Sequence, residues 1–233
     1  MQTRLKLATY NIHRCYGSDG VFDPARVTQV IQQLDTDIIA LQEVETFVDG
    51  GQNILDMFAT AAGFITIAGP TMERGDSSYG NAVLTRHRPQ QINKLDISIP
   101  GREPRGAVSL HFTIQGQLIH ILTTHLGLKA GERQLQMQQL VDFMTRRPAD
   151  VTVLMGDINE WFPWGKVSRQ LTRQFGNSTL PATFPTHLPL FSLDQIRCLP
   201  ANAISTTRKL VTSLSKKASD HLPVYTTLRI QTG

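Results

Sequence analysis

Cysteine is scarce: Cys15 and Cys198 are the two in 233 residues, and they sit far apart. That excludes a disulfide framework and a cysteine-based zinc spacing, and leaves two buried structural thiols as the expectation. Long apolar runs are missing as well. No stretch reaches the ~20 residues needed to cross a bilayer, so no membrane-spanning segment is expected. Met1–Leu7 passes straight into a strand pattern without a signal-peptide core, which makes a cytoplasmic location the default expectation. No Gly/Ser-rich linker interrupts the chain, so residues 1–233 read as one domain, taken as a monomer by default. A serine nucleophile elbow, a P-loop and a His-Glu-x-x-His helix are all absent. Serine-hydrolase, P-loop nucleotide and zincin chemistry therefore find no support.

What is present is a 40% apolar fraction, enough to bury a core, and a mild basic excess of +4 that favours anionic ligands. Residues 4–10 read as a buried strand. Asp23-Pro24 opens a helix, with Asp as N-cap and Pro at the first helical position, and Val27, Val30, Ile31 and Leu34 form one stripe. Residues 37–42 are a short apolar strand, and a second helix is expected over about 52–62, stopped by Gly63. Strands follow near 64–68, 79–85, 91–98, 106–114 and 117–124. A long helix over 131–145, a buried strand at 151–155, a loop-rich stretch, a short strand near 188–193 and a closing strand at 222–230 complete the pattern. This many two-sided apolar strands call for an α/β fold of two packed sheets with helices outside. Ala8–His13 and Leu154–Asn159 also echo each other, each a strand ending in polar residues at i and i+2, which suggests a pseudo-repeat.

Apolar runs in this chain repeatedly end in Asn, Asp, Glu or His. Glu43 closes one such run, where α/β sheets place ligands, and Mg²⁺ needs only one or two carboxylates beside waters and phosphate oxygens. Asp157 and Asn159 share a face after Met155; they suit a hard metal or a phosphate, or equally a strand-exit turn. His125 ends Leu122-Thr123-Thr124, with a structural side chain as its alternative. Asn11 and Asn81 offer amides for ligand or cap. Asp194 stands in an apolar run and needs a partner if buried. Asp220-His221 sets a carboxylate beside an imidazole, whose tautomer it can fix and whose charged form it can stabilise.

In order, T-Y-N-I-H at Asn11, L-Q-E-V at Glu43, Y-G-N-A-V-L at Asn81, T-T-H-L at His125, G-D-I-N-E-W at Asp157 and Asn159, L-D-Q-I at Asp194 and S-D-H-L-P-V at Asp220-His221 cover nearly the whole chain. This series resembles the endonuclease/exonuclease/phosphatase superfamily. The resemblance implies a four-layer α/β/β/α sandwich, DNase I-like, of two packed mixed sheets. It implies that Glu43 binds a divalent metal, usually Mg²⁺ with Mn²⁺ as a substitute, and that Asn11 lies close by. Asp157 would activate or position water, Asn159 would contact phosphate, and His125 and His221 would stabilise charge on the phosphate oxygens. Asp220 would orient His221, and Asp194 and Asn81 would support. Whether Asp157 or His221 is the base stays open.

Arg105 is a further candidate for phosphate contact, since its fork matches phosphate oxygens. Trp161 and Trp164 are candidates for stacking on a base or lying against a lipid, and Lys216 and Lys217 precede Asp220-His221. The expectation is a Mg²⁺-dependent phosphoesterase acting on phosphodiesters. The basic excess favours a nuclease-like substrate; a phospholipid or small phosphoester is the alternative. A silent binding module on the same fold would be expected to lose Glu43, Asp157 or a histidine, and all are present.

Overall fold

The computed structural model describes residues 3–46, 48–49 and 52–230. In chain order the strands are β1 (Thr3–Asn11), β2 (Ile38–Thr46), β3 (Val48–Asp49), β4 (Gln52–Asn53), β5 (Ile65–Arg74), β6 (Ser77–Thr85) and β7 (Gln91–Asp96). They continue as β8 (Gly106–Ile114), β9 (Gln117–His125), β10 (Val151–Asp157), β11 (Asp194–Leu199), β12 (Arg208–Lys209) and β13 (Val224–Ile230). The helices are α1 (Pro24–Leu34), α2 (Ile54–Ala62), α3 (Ala130–Thr145), α4 (Lys166–Phe175) and α5 (Ser213–Ala218).

One sheet has the order β12-β13-β1-β2-β6-β5, the other β11-β10-β9-β8-β7, and β3-β4 form a small pair. Both large sheets are mixed: β1–β2 and β9–β10 run parallel, and their other neighbours antiparallel. The period-two alternation of the strands feeds two faces. Leu5 and Leu7 of β1 point between the sheets, where they meet Val108, Ile121 and Val153. Ala8 and Tyr10 point outward onto Val27, Val30 and Ile31 of α1. On the far side, Met137 and Leu140 of α3 and Val167 and Leu171 of α4 cover Leu122 and Leu154. The result is the expected four-layer α/β/β/α sandwich. Local signals hold at its helix ends: Asp23 Oδ1 accepts from the Arg26 N–H at 2.9 Å, and Gly63 ends α2 in the left-handed region at φ 69°.

Three expectations need correction. The strand placed near 188–193 begins instead at Asp194, because Pro181, Pro185 and Pro189 leave only an isolated bridge, Phe184–Phe191, upstream. The loop-rich stretch contains α4, a mostly polar helix whose Val167, Leu171 and Phe175 recur four apart on one buried face. The pseudo-repeat is partial. β1 and β10 each have one parallel and one antiparallel neighbour, but the chain visits the strands of the two sheets in different orders. Among the described residues no helix is long and apolar enough to cross a membrane.

Paired strands also create a buried histidine stack. His111 and His120 face each other across β8 and β9, with ring centroids 4.2 Å apart and planes 13° from parallel. Ser109 Oγ lies 2.9 Å from His120 Nε2. Burial, with the charges of His111 and Arg147, lowers the His120 pKa to about 4. The folded state thus keeps this ring neutral while the unfolded chain takes up a proton below its ordinary pKa of about 6.5. Stability contributed by the neutral ring is lost as pH falls from about 6.5 toward 4, by about 2 kcal/mol at pH 5. Urea unfolding at pH 7 and pH 5 should show that loss, and His120→Gln should reduce the pH dependence by a similar amount.

Candidate active site

The candidate residues gather where the parallel strands of both sheets end. In the second sheet the register sets Asp157 beside His125 on one side and Asp194 on the other, forming one row across β9, β10 and β11. Gly156, just before Asp157, has φ +147°, and a Cβ there would collide with the Thr124 carbonyl, so only glycine lets β10 pass so close to β9. In the first sheet Asn11 closes β1, and Glu43 sits in a bulge where the β2–β6 register shifts between Leu41 and Val44. Glu43 adopts φ 55° and Asn159 φ 53°, left-handed conformations that re-aim their side chains.

Asn11 joins the two sheets. Its buried Nδ2 donates to Glu43 Oε1 at 3.1 Å and to Asp157 Oδ2 at 3.0 Å. Its Oδ1 accepts from the His13 N–H at 3.0 Å, and its carbonyl accepts from Ser219 Oγ at 2.8 Å. Asp157 Oδ2 then faces both imidazoles, 3.6 Å from His125 Nε2 and 3.8 Å from His221 Nε2. Asn159 donates its backbone N–H to Asp157 Oδ1 at 2.9 Å, and its Nδ2, which donates to the Leu126 carbonyl at 2.9 Å, lies 3.0 Å from His125 Nε2.

The two histidines are set in opposite states. His221 Nδ1 is 2.8 Å from Asp194 Oδ2, which also accepts from Thr183 Oγ1 at 2.6 Å. Burial alone would lower the His221 pKa; the charge and hydrogen bond of Asp194, with Asp157 and Asp220 nearby, outweigh it and raise the pKa to about 10. His125 has a cation as its partner instead. Arg105 Nη1 lies 3.0 Å from His125 Nδ1 and Asn159 Nδ2 lies 3.0 Å from its Nε2, so both ring nitrogens face donors, an arrangement that disfavours the charged ring. Burial, then the charges of Arg105 and His221, hold the His125 pKa well below its ordinary value. Asp157 is pushed up, chiefly by burial.

These groups form the floor of a cleft of about 310 Å³. Its lining combines apolar and aromatic residues, Leu128, Trp161, Phe184 and Leu193, with Arg14, Arg74, Tyr79 and Arg105. Of the residues singled out in the sequence, Asn11, Glu43, His125, Asp157, Asn159, Asp194 and His221 converge here, and Arg105 and Trp161 line the cleft. Five others are placed differently. Asp220 does not orient His221; its carboxylate turns to His13 Nδ1 at 3.7 Å, and Asp194 takes the role. Lys216 and Lys217 lie on α5 away from the cleft, Lys217 facing Asp19 at 3.7 Å. Trp164 is 68% exposed and stacks on Phe162 outside the cleft. Asn81 is buried behind it, donating to the Gly106 carbonyl at 2.9 Å. His13, Arg14, Arg74, Thr183 and Ser219 went unmarked by the sequence, although His13 and Ser219 stand inside the quoted phrases.

Two places offer cation ligands. Ligand atoms of Asp157, Asp194 and His221 lie within 4.8 Å of one another, but there Asp194 Oδ2 and His221 Nδ1 already satisfy each other at 2.8 Å. Glu43 fits a hard cation better. It is half-buried, opens into the cleft, and accepts one hydrogen bond among the described residues, from Asn11. Its remaining oxygen capacity suits an ion that keeps most of its waters.

Comparison with known proteins places this geometry. The profile of the endonuclease/exonuclease/phosphatase family matches residues 8–221. YbhP of Escherichia coli K12 is 28% identical over 96% of this chain and 95% of its own. An endonuclease/exonuclease/phosphatase from Beutenbergia cavernae superposes with a TM-score of 0.78 at 21% identity, covering 97% of this chain and 72% of that one. A mannosyl-6-phosphatase from Bacteroides thetaiotaomicron reaches 0.74 at 17% identity, over 97% of this chain and 100% of its own. At such identities the structures speak for the fold alone. The profile match, running from Ala8 in β1 to His221, shows that the chain belongs to the endonuclease/exonuclease/phosphatase family.

Proposed function

We propose that this protein is a Mg²⁺-dependent hydrolase of phosphodiesters. The observation that carries the reading is Asp157, held between a charged and a neutral histidine and opposite Glu43, on the floor of one cleft. Glu43, with Asn11 beside it, is the residue set for the metal; Mg²⁺ bound there would polarise a phosphoryl oxygen. His221, charged by its contact with Asp194, donates from Nε2 to a phosphate oxygen. His125, kept neutral beside Arg105, faces the same Asp157 oxygen and borders the phosphate site. Asp157 accepts a proton from the attacking water as the water oxygen bonds to phosphorus, and the ester P–O bond breaks with the leaving oxygen taking a proton from solvent to depart as the alcohol. A histidine already protonated at neutral pH cannot take that proton, which favours Asp157 over His221 as base. Preorganised donors around the phosphoryl group supply most of the stabilisation such a reaction needs.

Among phosphodiesters, a nucleotide-like substrate is the first reading, because Trp161 and Phe184 offer aromatic faces beside the site and three arginines line the cleft. A phospholipid is the second. Phe162, Trp164, Leu188 and Leu190, each at least half exposed, lie on the two loops that carry Trp161 and Phe184.

With bis(p-nitrophenyl) phosphate and Mg²⁺, Asp157→Asn and His221→Ala should each lower kcat by roughly 10²–10⁴-fold; wild-type rates in both would remove the site assignment. EDTA should abolish turnover, and Mg²⁺ or Mn²⁺ should restore it; persistence in EDTA would contradict the metal. A panel of single- and double-stranded DNA, RNA, phospholipid vesicles and sugar phosphates then orders the substrates. Inactivity on every nucleic acid alongside turnover of vesicles would replace the first reading by the second.

A further inference from the structure

The lining of the cleft contains more positive charge than the reacting centre uses. Arg105 is engaged with His125 and with Glu103 at 3.4 Å. Arg14 and Arg74 are not engaged in this way. Both line the cleft and both face Glu45, each at 3.9 Å, too far for a hydrogen bond. Among the described residues neither guanidinium donates a hydrogen bond at all. Arg26, by contrast, closes two contacts of 3.0 and 3.1 Å on Asp19.

These two forks are nonetheless held in place. Arg74 stacks 4.5 Å from the Tyr79 ring centroid and Arg14 5.5 Å from that of Tyr16. Arg14 also sits in a left-handed turn, His13–Cys15, with φ 46°, 52° and 64° and no glycine. That conformation is costly, and the Asn11 Oδ1 bond to the His13 N–H anchors it. Two oriented guanidiniums against one carboxylate leave a net positive charge with open donors. Such a pair matches the oxygens of a phosphate group. The apolar part of the lining, Leu128, Trp161, Phe184 and Leu193, has no charge to offer.

We propose that Arg14 and Arg74 form a subsite for a second phosphate, carried by the same molecule as the scissile diester. The proposal rests on the phosphodiesterase reading and gives the substrate a direction, with its second phosphate toward Arg14 and Arg74 and its apolar part toward Trp161 and Phe184.

The test compares thymidine 5′-(p-nitrophenyl phosphate) with the same ester bearing a 3′-phosphate. At low salt the 3′-phosphate should raise kcat/KM by roughly tenfold or more, through KM, and added salt should shrink the difference. In Arg14→Gln/Arg74→Gln the ratio of the two substrates should fall to near one, and Arg14→Lys/Arg74→Lys should restore part of it. A ratio near one in the wild type, or a ratio unchanged in the Gln variant, overturns the subsite. Calorimetric titration with thymidine 3′,5′-bisphosphate and thymidine 5′-monophosphate gives the same comparison without turnover. A bisphosphate preference that needs both arginines in a protein that hydrolyses neither ester would support the subsite and defeat the hydrolase reading. No preference would defeat the subsite even in an active enzyme.

Discussion

The carboxamide of Asn11 turns the ends of two sheets into one site. One amide nitrogen reaches a carboxylate from its own sheet, Glu43, and one from the facing sheet, Asp157. Carboxylates brought together in a buried place repel each other and lose hydration, so each needs donors or a cation nearby. Here the donors are the Asn11 amide and the Asn159 backbone, and the cation is His221. The other end of the same amide, through the His13 N–H, fixes the turn that carries Arg14. The two carboxylates and the turn that carries Arg14 therefore depend on one small polar group, which is worth more fully satisfied than its separate contacts suggest.

Around that junction, environment assigns the roles. Two histidines of the same chemistry face the same carboxylate oxygen, and what lies behind each ring decides its state: an acid behind His221, a guanidinium behind His125. Backbone strain concentrates in the same place. Glu43, Asn159 and His13–Cys15 account for five of the non-glycine residues with positive φ, and four of them, all but Cys15, line the cleft. Such conformations persist where surrounding contacts over-determine them, as the bulge in β2 and the Asn11 bonds do here.

Much of this was legible in the sequence because the signal is physical. An apolar run ending in a polar residue marks the carboxyl end of a strand, and parallel strands bring such ends to one edge; Glu43, Asp157 and His125 were readable for that reason. The partner of His221 was not. Adjacency in the chain pointed to Asp220, but the structural neighbour comes from β11, and that pairing appears only when the strand register is known. Lys216 and Lys217 failed as candidates because a short helix, α5, carries them away from the site their sequence position suggested. Arg14 and Arg74 left no trace, since a left-handed turn without glycine has no sequence mark and the reach of Arg74 depends on the length of β5.

The most direct measurement is the position of a bound ion. Crystals grown or soaked with Mn²⁺ and inorganic phosphate, with data collected at a wavelength where manganese scatters anomalously, locate the metal without reference to activity. The account predicts an anomalous peak on the Glu43 carboxylate, with phosphate density reaching both His125 and His221. A peak held by Asp157, Asp194 and His221 instead, or phosphate bound away from the two imidazoles, would contradict it.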